Sequence, residues 1–303
     1  MVGLIRDMSS EAYHSHPNTF SSSQLKTVLE DPEMFYRKYI TKEVERESNS
    51  AFDIGTYFHT SILEPDKLQE ECAVYTGIRR GKEWEAFKKE NKGKAIITAS
   101  ELEQADNLVK AVRASSVATT YLSKGEAEIS CFAELYIYMD DVYCKGRRLT
   151  IEGWLSDPDP WKLALLKGLL ITIKVRADLL GDTFILDLKS TTGNVKNEHQ
   201  MRTKISMYSY DLSASLYLDI FSIITGKVYD KFIWTFASKD HGNCKNYLAS
   251  KDNVRIGRAK WMKAVLLLAE NIKKEWKFED TLSILEPQFF EREYLKIKGA
   301  IDL

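Results

Sequence analysis

The chain has 303 residues, 44% of them hydrophobic and 29% charged, with a formal net charge of −1. That size supports a substantial core, as one elaborated α/β domain or two smaller ones. The near-neutral balance excludes a global basic field, so any nucleic-acid binding must rest on local patches. Four scattered cysteines, Cys72, Cys131, Cys144 and Cys244, form no CxxC pair. They read as reduced thiols of a cytoplasmic protein and lack the tight grouping of an iron–sulfur cluster. The first residues lack the basic start and apolar core of a signal peptide. The apolar stretch 163–175 is short and interrupted by Lys167 and Lys174, so no membrane span is expected.

Residues 1–20 read as irregular. Ser21-Ser22-Ser23-Gln24 offers N-caps for a helix through about Glu30. Asp31-Pro32 separates it from a second helix, Glu33 to Tyr39. Arg37 and Lys38 there either contact phosphate or form a solvated face. Phe52, Tyr57 or Phe58, Ile62 and Leu63 make an apolar helical stripe ended by Pro65. Gly55 within it suggests close approach of a backbone or ligand, and His59 is either structural or a metal ligand. Arg79-Arg80-Gly81-Lys82 is a basic stretch that is either a phosphate contact or a solvated loop, before a helix at Glu83 to Asn91. Another helix is expected from Ala99 to Ala114.

From Glu126 the pattern changes to strands. Residues 128–138 are β-branched and aromatic, Asp140-Asp141 reads as a turn, and Val142 to Leu149 returns. Residues 150–170 hold two prolines and two tryptophans and suggest a protruding loop with a short helix. A long helix is expected from Glu198 to Thr225, broken near Lys204, then a strand from Tyr229 to Ser238 and an amphipathic helix from Asp252 to Trp276.

The chemistry concentrates between Asp178 and Lys189. With Gly181-Asp182 as a two-residue loop, Leu180 pairs with Thr183 and Asp178 faces Ile185. Asp178, Asp187 and Lys189 then share one face, and Phe184, Leu186 and Leu188 the other. Two carboxylates, with the Leu188 carbonyl as a further ligand, suit Mg²⁺, for which Mn²⁺ can substitute. Lys189 is placed to orient water or balance phosphorane charge. A solvated strand end with an Asp–Lys ion pair is the plainer reading of the same residues.

Together with their flanks, these residues resemble the PD-(D/E)xK nuclease superfamily, and within it the RecE-type exonucleases of phages and prophages. The resemblance is carried by Glu11-Ala12-Tyr13-His14 with Ser21-Ser22-Ser23-Gln24-Leu25, by Gly55 through Pro65 around His59, by Glu128, and by Val175-Arg176-Ala177-Asp178 with Asp187-Leu188-Lys189-Ser190-Thr191. It runs in order over roughly residues 8–275. It implies a mixed sheet flanked by helices, a restriction-endonuclease-like core with an N-terminal helical elaboration. In that division, 1–125 is mainly helical, 126–240 is the catalytic sheet and 241–303 is a C-terminal helix and tail of one nuclease domain.

The resemblance makes His59 a metal-site residue, Glu128 a ligand or water-positioning carboxylate, Asp178 and Asp187 metal ligands, and Lys189 the catalytic lysine. DNA contacts fall to Ser22, Arg37, Lys38, Arg79, Arg80, Lys82, Arg176, Thr191, Tyr210 and Tyr217. The implied activity is Mg²⁺-dependent 5′→3′ degradation of linear double-stranded DNA. It would leave 3′ single-stranded tails for an annealing recombinase partner, with ring-shaped homo-oligomers. A structure-specific endonuclease or a catalytically silent DNA-binding protein are the alternatives. Two departures stand out. Ser213 occupies the place of the family's helix glutamine, four residues before Tyr217, and residues 149–170 are longer than the usual connection. Val142 to Leu149 echoes the stretch before Asp178, but with Arg148 in place of the carboxylate.

Overall fold

The computed structural model describes residues 2–44, 50–156 and 168–279. Their strands are β1 (Gly3–Ile5), β2 (Thr19–Phe20), β3 (Cys72–Tyr75), β4 (Ala95–Thr98), β5 (Gly125–Tyr138), β6 (Asp141–Cys144), β7 (Arg147–Thr150), β8 (Gly153–Ser156), β9 (Leu169–Gly181), β10 (Phe184–Thr191), β11 (Lys231–Ser238) and β12 (Cys244–Leu248). Ten of them form one sheet in the order β12-β11-β10-β9-β5-β6-β7-β8, with β1 added on β5 and β2 on β9. Pairing is antiparallel except for β10 with β11 and β2 with β9. β3 and β4 form a separate parallel pair. The fold is thus a mixed, mostly antiparallel sheet flanked by helices.

Strand periodicity explains the two faces. Ile129, Cys131, Ala133, Leu135 and Ile137 of β5 alternate with their neighbours. They join Ile171, Ile173, Val175 and Ala177 of β9 in one core, packed with the helices Tyr210–Thr225 and Lys251–Lys273. Leu179, Phe184, Leu186 and Leu188 join a second core with Ile54 and Phe58 of the helix Ser50–Leu63 and Leu108 and Val112 of the helix Ala99–Arg113. The hairpin is therefore enclosed on both faces, which lets its charged residues sit in a partly dry setting.

Two turns after β5 fall where the chain takes left-handed backbone. Met139 and Asp140 have φ of 45° and 65°, and Lys145 and Gly146 have 48° and 73°. Two consecutive positive values make the tight turn that matches strand twist. The expected Asp140-Asp141 turn is thereby displaced by one residue, because Asp141 pairs with Tyr138 in the ladder. The sheet continues to β8 instead of leaving as a loop at 150, and the Trp154 indole donates to the Asp219 carbonyl at 3.0 Å. The remainder of the expected protruding loop, at 157–167, lies outside the described residues, as does the tail from 280.

Ser21 caps the helix Ser22–Glu30 with a reciprocal Gln24 bond. The next helix is only Pro32–Phe35 and continues as a π turn over Tyr36–Ile40. The long helix expected over 198–225 is two helices, Glu198–Met207 and Tyr210–Thr225. The break comes at Ser209, with φ 45° and ψ 47°, and not near Lys204. Helix Lys251–Lys273 crosses the second of these at Gly257, where a Cβ would lie 2.0 Å from the Asp211 carbonyl oxygen. Glycine is what permits that approach.

Candidate metal and phosphodiester site

The β9–β10 register pairs Leu180 with Ile185 and Leu179 with Leu186. Asp182 and Thr183 are therefore the turn, and the expected Gly181-Asp182 loop with Asp178 facing Ile185 is corrected. A Cβ on Gly181 would come 2.0 Å from the Phe184 ring, so the glycine is needed beneath that ring at the strand's end. The correction moves the register by two residues. Parity survives an even shift, and Asp178, Asp187 and Lys189 remain on one face.

The shift has a larger effect, because it carries Asp178 across from Asp187. The two strands are paired only as far as Leu179 and Leu186. Beyond that point Asp178 enters the gap, and its Oδ2 accepts the Leu188 backbone N–H at 2.7 Å. A carboxylate thus stands where a ladder bond would be. The same atom lies 3.5 Å from His59 Nδ1 on the Ser50–Leu63 helix.

Glu128 joins from β5. Its neighbours Ala127 and Ile129 pair with Leu179 and Ala177, but Glu128 itself has φ 53° and interrupts the ladder. A left-handed glutamate inside a strand is strained backbone, and here it delivers a carboxylate to the site. One ligand atom from each of His59, Glu128 and Asp178 lies within 4.8 Å of the others. Burial, then the charge of Asp178, pushes the Glu128 carboxyl up to about 8, against the opposing pull of Arg176. Such a donor set is short of positive charge. One imidazole nitrogen and two carboxylate oxygens fit a divalent cation, and the carboxylates favour Mg²⁺ or Mn²⁺.

Asp187 is 7% exposed and sits beside this trio, not within it. Its Oδ1 accepts from Lys189 Nζ at 2.7 Å, and the Leu188 carbonyl accepts from the same ammonium at 3.3 Å. Burial works against the Lys189 charge, and the Asp187 and Asp178 carboxylates outweigh it, so its pKa is raised and the amine stays protonated. Lys189 Nζ lies 5.6 Å from the centroid of the Tyr210 ring. Burial pushes the Tyr217 phenol up to about 12, with the Ser22 hydroxyl bonded to it, so Tyr217 is a neutral donor or acceptor at physiological pH.

The remaining expected DNA contacts divide by what already holds them. Arg79 forks onto Glu101 at 3.0 and 2.7 Å and donates to the Ile96 carbonyl at 2.6 Å, a structural anchor for β4. Arg176 donates to Ser130 Oγ at 2.8 Å and to the Met8 carbonyl at 2.6 Å, over the Tyr13 ring. It pins the N-terminal segment to β9. Arg37 lies 3.4 Å from Glu43, Lys38 over Tyr39, and Thr191 Oγ1 accepts from Lys204 at 2.8 Å. Arg80 and Lys82 are exposed. Ser213 is half-buried in the Tyr210–Thr225 helix, one turn after Tyr210.

Comparison with known proteins fits this geometry. A family model described as a PDDEXK-like domain of unknown function (DUF3799) matches residues 21–148. The crystal structure of a protein from Eubacterium rectale named "Putative exonuclease" aligns with 97% of this chain and 100% of its own, at 13% identity and a TM-score of 0.57. The chain thus shares the fold of that protein, and its residues 21–148 are similar to a PDDEXK-like domain. The family match includes His59 and Glu128 and stops before β9, so the Asp178–Lys189 hairpin enters through the structure. A crystal structure of SSO0001 covers 79% of this chain and 84% of its own at 12% identity, with a TM-score of 0.27, too low to bear on the fold. No curated protein matches the chain.

One residue beside this site went unread in the sequence. Lys26, one turn after Ser22 on the same helix, holds its ammonium 5.3 Å from the Tyr210 centroid. The i, i+4 spacing from Ser22 carries the signal, since both positions share a face.

Glu128 gives the metal-free protein a defined pH response. The folded glutamate keeps its proton to about pH 8, whereas an unfolded one releases it near ~4.3. Between those values the folded state binds the extra proton, so stability falls as pH rises through the window. Divalent cations need the deprotonated form, so their binding strengthens over the same range. Melting temperatures from pH 5 to 8 should fall without metal, and Mn²⁺ should raise them more at pH 8 than at pH 6. Glu128→Gln should flatten both trends. An equal Mn²⁺ shift at the two pH values would remove Glu128 from the cation site.

Proposed function

We propose that this protein is a divalent-metal-dependent deoxyribonuclease that hydrolyses phosphodiester bonds. The observation that carries the reading is the splayed end of the β9–β10 hairpin, where Asp178 replaces a ladder bond and stands beside His59, Glu128, Asp187 and Lys189. When bound, a divalent cation supplies Lewis-acid polarisation of the phosphodiester and a more acidic water.

The chain's own residues do the rest. His59, Glu128 and Asp178 would hold the cation. Asp178 is fixed by the Leu188 N–H, so its second oxygen is oriented. Asp187 keeps Lys189 charged and aims it along the site face. The Lys189 ammonium then donates to a non-bridging phosphate oxygen on which charge accumulates as a water oxygen bonds to phosphorus and the P–O bond to the leaving sugar oxygen breaks. The water's proton and the leaving oxygen's proton are exchanged with solvent. Half-buried surroundings strengthen that interaction relative to water.

The finer reading is an exonuclease that uses Mg²⁺ and degrades linear duplex DNA 5′→3′ in the cytoplasm. It would leave 3′ tails for an annealing partner in phage or prophage recombination, and would act as a ring-shaped homo-oligomer. The PD-(D/E)xK fold and the resemblance of the ordered motifs to RecE-type exonucleases support it. No helix among the described residues is long and apolar enough to cross a membrane.

End-labelled linear duplexes carrying 5′-phosphate or 5′-hydroxyl, and closed circular duplex, are the substrates that test it. Shortening of the linear DNA with Mg²⁺, loss of 5′ label as mononucleotide and intact circles are expected. Digestion of closed circles would select an endonuclease, and binding without cleavage in Mg²⁺ or Mn²⁺ would overturn the nuclease reading.

A further inference from the structure

On the nuclease reading, the catalytic face has a cation that the reaction scheme above leaves unused. Lys26 projects from the Ser22–Glu30 helix, whose orientation is fixed by the Ser22–Tyr217 hydrogen bond one turn earlier. Its ammonium and that of Lys189 lie over the same Tyr210 ring, at 5.3 and 5.6 Å from the centroid.

The acids facing Lys26 are already committed. Asp187 is bonded to Lys189 at 2.7 Å, and both Asp211 oxygens accept from Lys260 at 2.9 and 2.8 Å. Lys189 and Lys260 repel the Lys26 ammonium, and Asp187 and Asp211 attract it without pairing to it. The described residues hold no ion pair for Lys26, whose ammonium lies over the Tyr210 ring. Burial, then the repulsion of Lys189, pushes its amine down to about 8. A half-buried ammonium without a counterion costs stability, and proteins retain such a group where a ligand completes it. An anion bound to Lys26 would stand next to the lysine that faces the reacting phosphate. A phosphodiester is such an anion.

We propose that Lys26 is a second substrate-binding cation of this site, donating to a non-bridging oxygen of the scissile phosphate or of the phosphate next to it. The Tyr210 ring offers both ammonium groups a favourable face. Lys189 then serves the reacting phosphate from the strand, and Lys26 clamps the backbone from the helix.

Three forms of the full-length protein decide this: wild type, Lys26→Met and Lys26→Arg. Lys26→Met should lower kcat/KM on linear duplex DNA by about 10- to 100-fold, the loss expected for one charged hydrogen bond. Lys26→Arg should recover most of it. In EDTA, the slope of log binding constant against log salt for a short duplex should shrink by about one on Lys26→Met, the mark of one lost phosphate contact. The melting temperature of Lys26→Met should stand at or above wild type, because an unpaired charge has been replaced by a thioether of similar length.

Wild-type kcat/KM and salt slope in Lys26→Met would overturn the proposal. So would a lost melting temperature that Lys26→Arg restores with no change in salt slope, since that marks a packing role. A wild-type protein that binds DNA but cleaves nothing in Mg²⁺ or Mn²⁺ counts against the nuclease reading alone, and the salt slope still decides Lys26.

Discussion

Lys189→Ala is expected to reduce duplex DNA cleavage on the order of 10²–10³-fold, with KM changed far less than kcat. The lysine lies on the side of the hairpin opposite the apolar residues Phe184, Leu186 and Leu188, which are locked in the second core. Its ammonium has a fixed position because Asp187 Oδ1 and the Leu188 carbonyl both accept from it. A donor held in advance needs no reorganisation as charge builds on the phosphate, which is why its loss should appear in the chemical step.

The fold needs its own control. Removing Lys189 leaves Asp187 buried without its cation, and burial already raises that carboxyl. The variant should therefore melt lower than wild type at neutral pH. Asp187→Asn combined with Lys189→Met removes the stranded charge and should regain much of the melting temperature while remaining inactive. Single-turnover cleavage of a labelled duplex, with melting curves on the same samples, measures both effects. Cleavage by Lys189→Ala within tenfold of wild type would mean that another group stabilises the phosphorane.

How far this site was legible in the sequence depends on the kind of signal each residue leaves. The face shared by Asp178, Asp187 and Lys189 follows from strand parity alone, and an error of two residues in the turn cannot disturb it. The turn itself was misread because Gly181-Asp182 looks like a favoured loop pair. In the structure that glycine serves contact with the Phe184 ring, a tertiary demand invisible in the local string. The break at Ser209 has the same origin. Serine gives no warning of a left-handed backbone, and neither Gly nor Pro marks the spot.

Glu128 was found only through resemblance, since its place in a β-branched run says nothing of a ladder interruption. The basic stretch at Arg79 misleads in the opposite sense. Its charge is spent on Glu101, a partner 22 residues away, and sequence reading shows the lysines and arginines of a loop but not which of them are already paired. Lys26 escaped because a lone lysine on an amphipathic helix reads as solvated until the helix is docked.

Arg258→Ala is expected to cost about 3–5 kcal/mol of stability, the loss seen when one member of a buried ion pair is removed. Arg258 and Asp219 are 8% and 4% exposed. Arg258 donates from Nε and one terminal nitrogen to the two Asp219 oxygens, at 2.8 and 2.7 Å, and from the other terminal nitrogen to the Ile151 carbonyl at 2.7 Å. Trp261 Nε1 adds a fourth bond, to Asp219 Oδ2 at 3.1 Å. Burial raises the Asp219 carboxyl, and Arg258 opposes that rise through hydrogen bonds and charge. Without the arginine, a carboxylate inside the core has only an indole for a partner.

The network joins three elements at one point: the Tyr210–Thr225 helix, the Lys251–Lys273 helix and the turn after β7. Tyr217 is two residues before Asp219 on the first of these, and Tyr210 begins it, so the platform beneath Lys26 and Lys189 rests on this joint. Urea unfolding of Arg258→Ala should show a reduced midpoint. Asp219→Asn with Arg258→Met should lose much less, because that pair leaves no charge behind. DNA cleavage by Arg258→Ala at a temperature where it remains folded should decline through a slackened Tyr210 and Tyr217, with the loss reversed in the double variant. An unfolding free energy within about 1 kcal/mol of wild type for Arg258→Ala would show that solvent reaches Asp219 and that the joint is not what holds the site helix.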